Sequence, residues 1–247
     1  MNSFNFHTPS DHKEEFQFKN KIRIEKISIG CENNFVEGVL SIPRSSEVSR
    51  NLIIFAHGSG SSRFSDRNIF ISEKLLSLGF STLLFNMLTE QETRLDRITN
   101  EFQNNVPYFS KRLVAATEFV GKDPSFSNYF TRIFFFGSSV GGCAAIHSAV
   151  QLSSMKPTIT GILARGSNLT LCDQKSIDSL SIPIMLIVGE LDKEMVKINE
   201  HYYRKLFINC PNKQYRVIPN ATHLFPEPQA LEELSNFTCD YFQSFFK

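Results

Sequence analysis

Apolar residues along the chain fall into runs of two kinds. Near the start, Ile22, Ile24, Ile27 and Ile29 recur at close to every second position and "FVEGVLSIP" (35–43) follows, so an antiparallel pair of half-covered strands is predicted there. Farther on, short runs are apolar throughout, as buried strands are: "NLIIFA" (51–56), "STLLFNM" (81–87), "RIFFFG" (132–137), "ITGILAR" (159–165) and "IPIMLIVG" (182–189). "KQYRVIP" (213–219) is predicted as the last strand. Between these runs the apolar spacing turns helical in "NIFISEKLLSLG" (68–79), "PYFSKRLVAATEFVG" (107–121), "VGGCAAIHSAVQL" (140–152), "EMVKINEHYYRKLF" (194–207) and "PQALEELSNFTCDYFQSFF" (228–246). Gly79 and Gly121 are placed to end the first two helices, and Pro107 to begin the second.

Alternating strand and helix implies an α/β fold with a mainly parallel, eight-stranded sheet and helices on both faces. Ligands of such sheets bind beyond the carboxyl ends of the strands, so the polar residues just after each strand are the candidates for function. Four such places stand out: "HGSGSSR" after 51–56, "GSSVGG" after the central strand, "GELD" after 184–188 and "NATHLF" after the last strand.

Composition narrows the classes. The chain has 247 residues, 41% of them hydrophobic, enough for one sizeable core over 21–247; residues 1–20 are polar and expected to form an arm. With 26 basic and 25 acidic residues and no long run of either sign, a nucleic-acid partner or a membrane surface is not expected. The five cysteines are scattered and lack metal-ligand spacing, which points to reduced thiols in the cytoplasm and to no metal. No apolar run approaches bilayer length and the N-terminus lacks the apolar core of a signal peptide.

"GSSVG" (137–141) fits GxSxG, with a strand expected before it and a helix after. Glycines flanking Ser139 remove the side chains that would collide in so tight a reversal, and the turn would push the Ser139 hydroxyl out at the top of the sheet. A solvated serine in a glycine-rich turn is the plain alternative, made less economical by the strand-to-helix setting. A serine nucleophile needs a base, and His223, in the loop after the last strand, is the best placed of the six histidines. That base needs an acid to fix its tautomer; Asp192, one turn beyond a buried strand, is preferred to Glu190, although an aspartate there could equally cap the next helix. The amides of Ser59 and Val140 are the candidate oxyanion donors. His57 is expected to hold its own loop rather than act as the base. Arg63, Arg67 and Arg165 could reach the active face and grip an anionic group, or pair with local acids such as Asp66.

These features together resemble the α/β-hydrolase superfamily, whose order of nucleophile, acid and histidine is matched by Ser139, Asp192 and His223. "FAHGSGSSRFSDRN", "TLLFNMLTE", "FFGSSVGG", "LIVGELD" and "PNATHLFPEP" look most like the dienelactone-hydrolase-like group, which includes hydrolase domains fused to phosphoribosyltransferases in some bacteria; no transferase domain is expected here. The dienelactone hydrolases proper use cysteine where this chain has Ser139, so lactone specificity is not implied, and Cys143 reads as packing. The stretch 165–183 is too short for a large cap domain, so an open site is expected, with the polar segment 87–106 bordering it. The resemblance implies a serine hydrolase acting on an ester or related acyl bond of a small molecule, without metal or organic cofactor. A non-catalytic binding member of the fold, and a thioesterase, acyltransferase or peptidase using the same three residues, remain open alternatives. Oligomeric state leaves no mark in the sequence.

Overall fold

In a computed structural model, residues 21–44, 50–205 and 207–246 are described, so the predicted arm over 1–20 lies outside the described residues. Eight strands form a single sheet: β1 (Ile22–Cys31), β2 (Asn34–Pro43), β3 (Asn51–Ala56), β4 (Ser81–Phe85), β5 (Arg132–Ser138), β6 (Thr158–Arg165), β7 (Ile184–Gly189) and β8 (Gln214–Ile218). Their order is β1-β2-β4-β3-β5-β6-β7-β8. β1 and β2 form the predicted antiparallel hairpin, and β2 runs antiparallel to β4. All later pairings are parallel.

The central strands are apolar on both sides because both sides are covered. Along β3 and β5, Leu52, Ile54, Ile133 and Phe135 enter the core layer beneath α3 (Val106–Lys122) and α4 (Val140–Gln151). Ile53, Phe55, Phe134 and Phe136 enter the opposite layer, beneath α1 (Asp66–Ser77) and α7 (Pro228–Gln243). Alternation along a strand thus feeds two layers at once, and burying each such phenylalanine contributes about 2–3 kcal/mol. In the second layer Phe134 meets Phe80 and Phe242 edge-on, at ring centroid distances of 6.4 and 5.4 Å.

Three more helices complete the chain: α2 (Glu90–Thr99), α5 (Gln174–Ser179) and α6 (Lys193–Lys205). α2 departs from the sequence reading, which left 87–106 as a polar segment without a helix. It buries none of its residues, so no apolar stripe announces it. Its start is fixed instead by a capping box: Glu92 N–H donates to Thr89 Oγ1 (3.2 Å) and Thr89 N–H to the Glu92 carboxylate (2.8 Å). α3 runs one residue past Gly121, whose missing side chain leaves room for the Met155 methyl and the Lys156 carbonyl. Between β6 and β7 lie only a 3-10 turn (Leu169–Leu171) and α5, so no cap domain covers the strand ends among the described residues.

Candidate active site

The parallel strands β3, β4, β5, β6, β7 and β8 release their chains at one edge of the sheet, and a cavity of about 640 Å³ lies there. Its lining includes His57–Ser62 from the loop after β3, Ser138 and Ser139 from the end of β5, Arg165 from the end of β6, and His223 and Leu224 from the loop after β8.

Ser139 sits between β5 and α4 with φ 54° and ψ −124°, a backbone conformation that a residue with a Cβ adopts only under constraint. The constraint is visible. Ser139 N–H donates to the Arg165 carbonyl (2.9 Å), and Gly142 N–H donates back to the Ser139 carbonyl (3.0 Å). A Cβ on Gly137 would strike the Gly141 carbonyl and the Gly142 backbone, and one on Gly141 would strike the Ala56 and His57 carbonyls. Only glycine lets β5, the turn and α4 approach this closely. The sharp reversal leaves the side chain of Ser139 at the cavity, beside Gly58, where an added Cβ would lie 3.0 Å from Ser139 Cβ.

His223 Nδ1–H donates to Asp192 Oδ2 across 2.6 Å. Asp192 is largely buried behind the ring, whereas His223 is about half exposed and faces the cavity. The loops carrying the two are stitched together: Leu191 N–H donates to the Ala221 carbonyl (2.9 Å) and Asn220 N–H to Glu190 Oε2 (2.9 Å). Glu190, the rival acid, therefore anchors the backbone of the histidine loop and Asp192 meets the imidazole. No hydrogen bond joins the Ser139 hydroxyl to His223 among the described residues; the two share the cavity.

His57 uses both ring nitrogens locally. Nδ1–H donates to the Gly58 carbonyl (2.9 Å), and Nε2 accepts from Met87 N–H (2.9 Å), which ties the β3 loop to the residues after β4. Burial pushes its pKa down to about 4, so the ring is neutral. The Ser59 hydroxyl donates to the Gln103 carbonyl, joining the same loop to the segment after α2. Val140 packs its side chain into the core as the first residue of α4.

The three arginines part company. Arg63 does not line the cavity: its guanidinium pairs with Glu37 at 2.6 Å and lies 4.3 Å from the centre of the Phe64 ring. Of the two readings open for Arg63, the structure thus shows pairing with a local acid, and that acid is Glu37 on β2 rather than Asp66. Arg67 and Arg165 do line it. Arg67 lies in the first turn of α1, just ahead of the helix predicted from residue 68, and Arg165 is buried beneath the histidine loop.

The polar segment 87–106, expected to border the site, supplies rim residues that were not singled out individually: Thr93, Asp96 and Arg97 of α2, with Asn100 and Gln103 after it. α2 is held to α3 by Glu92, which accepts from Arg112 Nη2 (2.7 Å) and from the Tyr108 hydroxyl. The "TEQE" capping pattern at Thr89–Glu92 is the signal that could have revealed them.

No family model matches the chain. A dienelactone hydrolase from Anabaena variabilis superposes with a TM-score of 0.82 at 29% identity, over 91% of this chain and 98% of that one. The chain belongs to the α/β-hydrolase superfamily, in its dienelactone-hydrolase-like group. An esterase from Pyrococcus furiosus shares the α/β-hydrolase fold at a TM-score of 0.67 and 17% identity, over 98% of this chain and 95% of that one. A Mycobacterium tuberculosis protein described as a phosphoribosyl transferase is 33% identical over 221 residues, which cover 90% of this α/β hydrolase. The chain spans 46% of that protein's length. No helix among the described residues is long and apolar enough to cross a membrane.

Proposed function

We propose that this α/β hydrolase cleaves a carboxylic ester, or a related acyl bond of a small substrate, through a serine acyl-enzyme. One observation carries the reading: a serine in a forced backbone conformation at a strand-to-helix turn shares a cavity with a histidine whose Nδ1 is held by a largely buried aspartate. The kinship with the dienelactone hydrolase and the fold shared with the esterase support it.

In the proposed reaction, Ser139 Oγ attacks the substrate carbonyl while its proton passes to His223 Nε2, the nitrogen that Asp192 leaves free. Oγ and Nε2 close to hydrogen-bond distance as the substrate fills the cavity; such bonds are often long in the free enzyme. Asp192 keeps the proton on Nδ1 and stabilises the imidazolium. The developing oxyanion is received by the amides of Val140 and Ser59, each worth roughly 3–4 kcal/mol of barrier. Collapse of the intermediate expels the alcohol, which takes the proton from His223. Water then attacks the acyl group, giving a proton to His223; the second collapse releases the carboxylic acid and returns that proton to Oγ. Every proton step is assigned to His223, and none to the neutral, fully bonded His57.

The test is steady-state hydrolysis of short p-nitrophenyl esters. Ser139→Ala should lose at least about a thousandfold in kcat/KM. Wild-type turnover that survives in Ser139→Ala defeats the reading.

A further inference from the structure

Arg67 and Arg165 line the cavity without a carboxylate partner among the described residues. Arg165 is only 7% exposed, and its guanidinium is held in place: Nε donates to Ser138 Oγ (3.3 Å), Nη1 to the His223 carbonyl (3.4 Å), and the group lies 5.3 Å from the centre of the Phe225 ring. Arg67 Nε is buried and bonds to nothing. Each guanidinium feels the other's charge, and burial together with Arg67 pulls the Arg165 pKa down to about 10. Two cations, one of them largely desolvated, are unfavourable neighbours until something negative is placed with them. Arg63 shows what a structural arginine does in the same region: it takes the acid Glu37.

The rest of the wall favours an anion as well. Of the ionisable residues there besides the histidines, Arg67, Arg97 and Arg165 outnumber Asp66 and Asp96, and Asp96 Oδ1 is engaged by the Phe102 amide (2.7 Å). The N-terminus of α1 opens on the cavity through Ser65, Asp66, Arg67 and Asn68, and Ser65 at its cap makes no side-chain capping bond, so the first-turn amides lack that partner. Ser61 and Ser62 add hydroxyls from the loop before it. Two guanidiniums, that of Arg165 held in place, together with a helix N-terminus and a serine-glycine loop match a group with two charges and three acceptor oxygens better than a monoanionic carboxylate.

We infer that Arg67 and Arg165, with the N-terminus of α1, form a phosphate subsite beside Ser139, and that the preferred substrates are acyl esters of a phosphorylated small molecule. The inference rests on the hydrolytic reading of Ser139. The phosphate is gripped and its P–O bonds are untouched; only the acyl ester is split by water, into a carboxylic acid and a phosphorylated alcohol.

Two matched ester pairs test it. 1-Butyrylglycerol 3-phosphate is compared with neutral monobutyrin, and p-nitrophenyl hemiglutarate with p-nitrophenyl valerate. The phosphorylated ester should exceed monobutyrin in kcat/KM by at least about tenfold, the size of one charge-assisted hydrogen bond. In Arg67→Gln this ratio should fall to near one, and Arg67→Lys should restore part of it. Arg67 is chosen because its side chain is only partly buried, whereas removing buried Arg165 endangers the fold; thermal unfolding of each variant confirms that it is folded. Turnover of neutral esters with a phosphate ratio near one, a ratio indifferent to Arg67→Gln, or a preference for hemiglutarate alone overturns the phosphate subsite while leaving the hydrolase reading intact. Should wild-type protein hydrolyse no ester, that reading fails, and calorimetric titration with inorganic phosphate decides the subsite by itself. Millimolar or tighter binding that Arg67→Gln abolishes upholds it, and no binding overturns it.

Discussion

At Asp192 the carboxylate does one thing an amide cannot: it accepts the Nδ1 proton of His223 while offering no proton of its own. Asp192→Asn should therefore favour the wrong tautomer and lower kcat on a short p-nitrophenyl ester by about a hundredfold to ten-thousandfold. Glu190→Gln keeps a carbonyl oxygen for the Asn220 amide and should change kcat by no more than about threefold. The opposite ranking would make Glu190 the acid. His57 makes a different prediction, about stability. Its folded pKa, about 4, lies below the ordinary 6.5, so the unfolded chain binds the proton more readily than the folded one between those values. The stabilisation is complete above about pH 6.5 and is lost as pH falls toward 4, up to about 3 kcal/mol. Urea unfolding followed across that range should show a loss that is markedly shallower in His57→Gln; equal slopes would remove His57 from the account.

α2 shows how an element can border the site without belonging to the core. It buries none of its residues and is held by its capping box and by Glu92, which reaches Tyr108 and Arg112 of α3. Thr89→Ala should cost about 1 kcal/mol of stability. Because α2 supplies rim residues, the same change should raise KM more than it lowers kcat, read from initial rates over a range of ester concentration; a loss confined to kcat would mean that α2 does not meet the substrate. The same feature explains why the helix could not be read from periodicity: pattern reading finds helices by the face they bury, and this one has none. α3 was legible because its buried face repeats, Phe109, Leu113, Ala116 and Val120, and α4 because it is apolar and buried nearly all round, from Val140 to Ile146 without a break. Arg67 falls outside the helix predicted over 68–79 for a related reason, since α1 starts at Asp66, ahead of its first apolar residue, and a polar first turn carries no periodic signal.

At the scale of the whole molecule, the eight strands were legible as runs, and their order was not. Which run lies beside which depends on pairings between residues far apart in the chain, such as Ile54 with Phe135 or Leu186 with Tyr215, and no local pattern carries that information. What the alternation did imply was a parallel sheet with its loops gathered at one edge, and this places Ser139, His223 and Arg165 around one cavity although they come from three different strand ends. The fate of Arg63 was beyond the sequence too, because Glu37, its partner, is brought to it only by the pairing of β2 with β4. The proposed chemistry depends on that convergence, and a covalent probe reads it directly. Native protein treated with a fluorophosphonate, digested and analysed by mass spectrometry, should carry the adduct on the peptide containing Ser139, and prior incubation with a short ester should slow its formation. Folded protein that takes up no probe, or takes it up at a residue other than Ser139, would contradict the account.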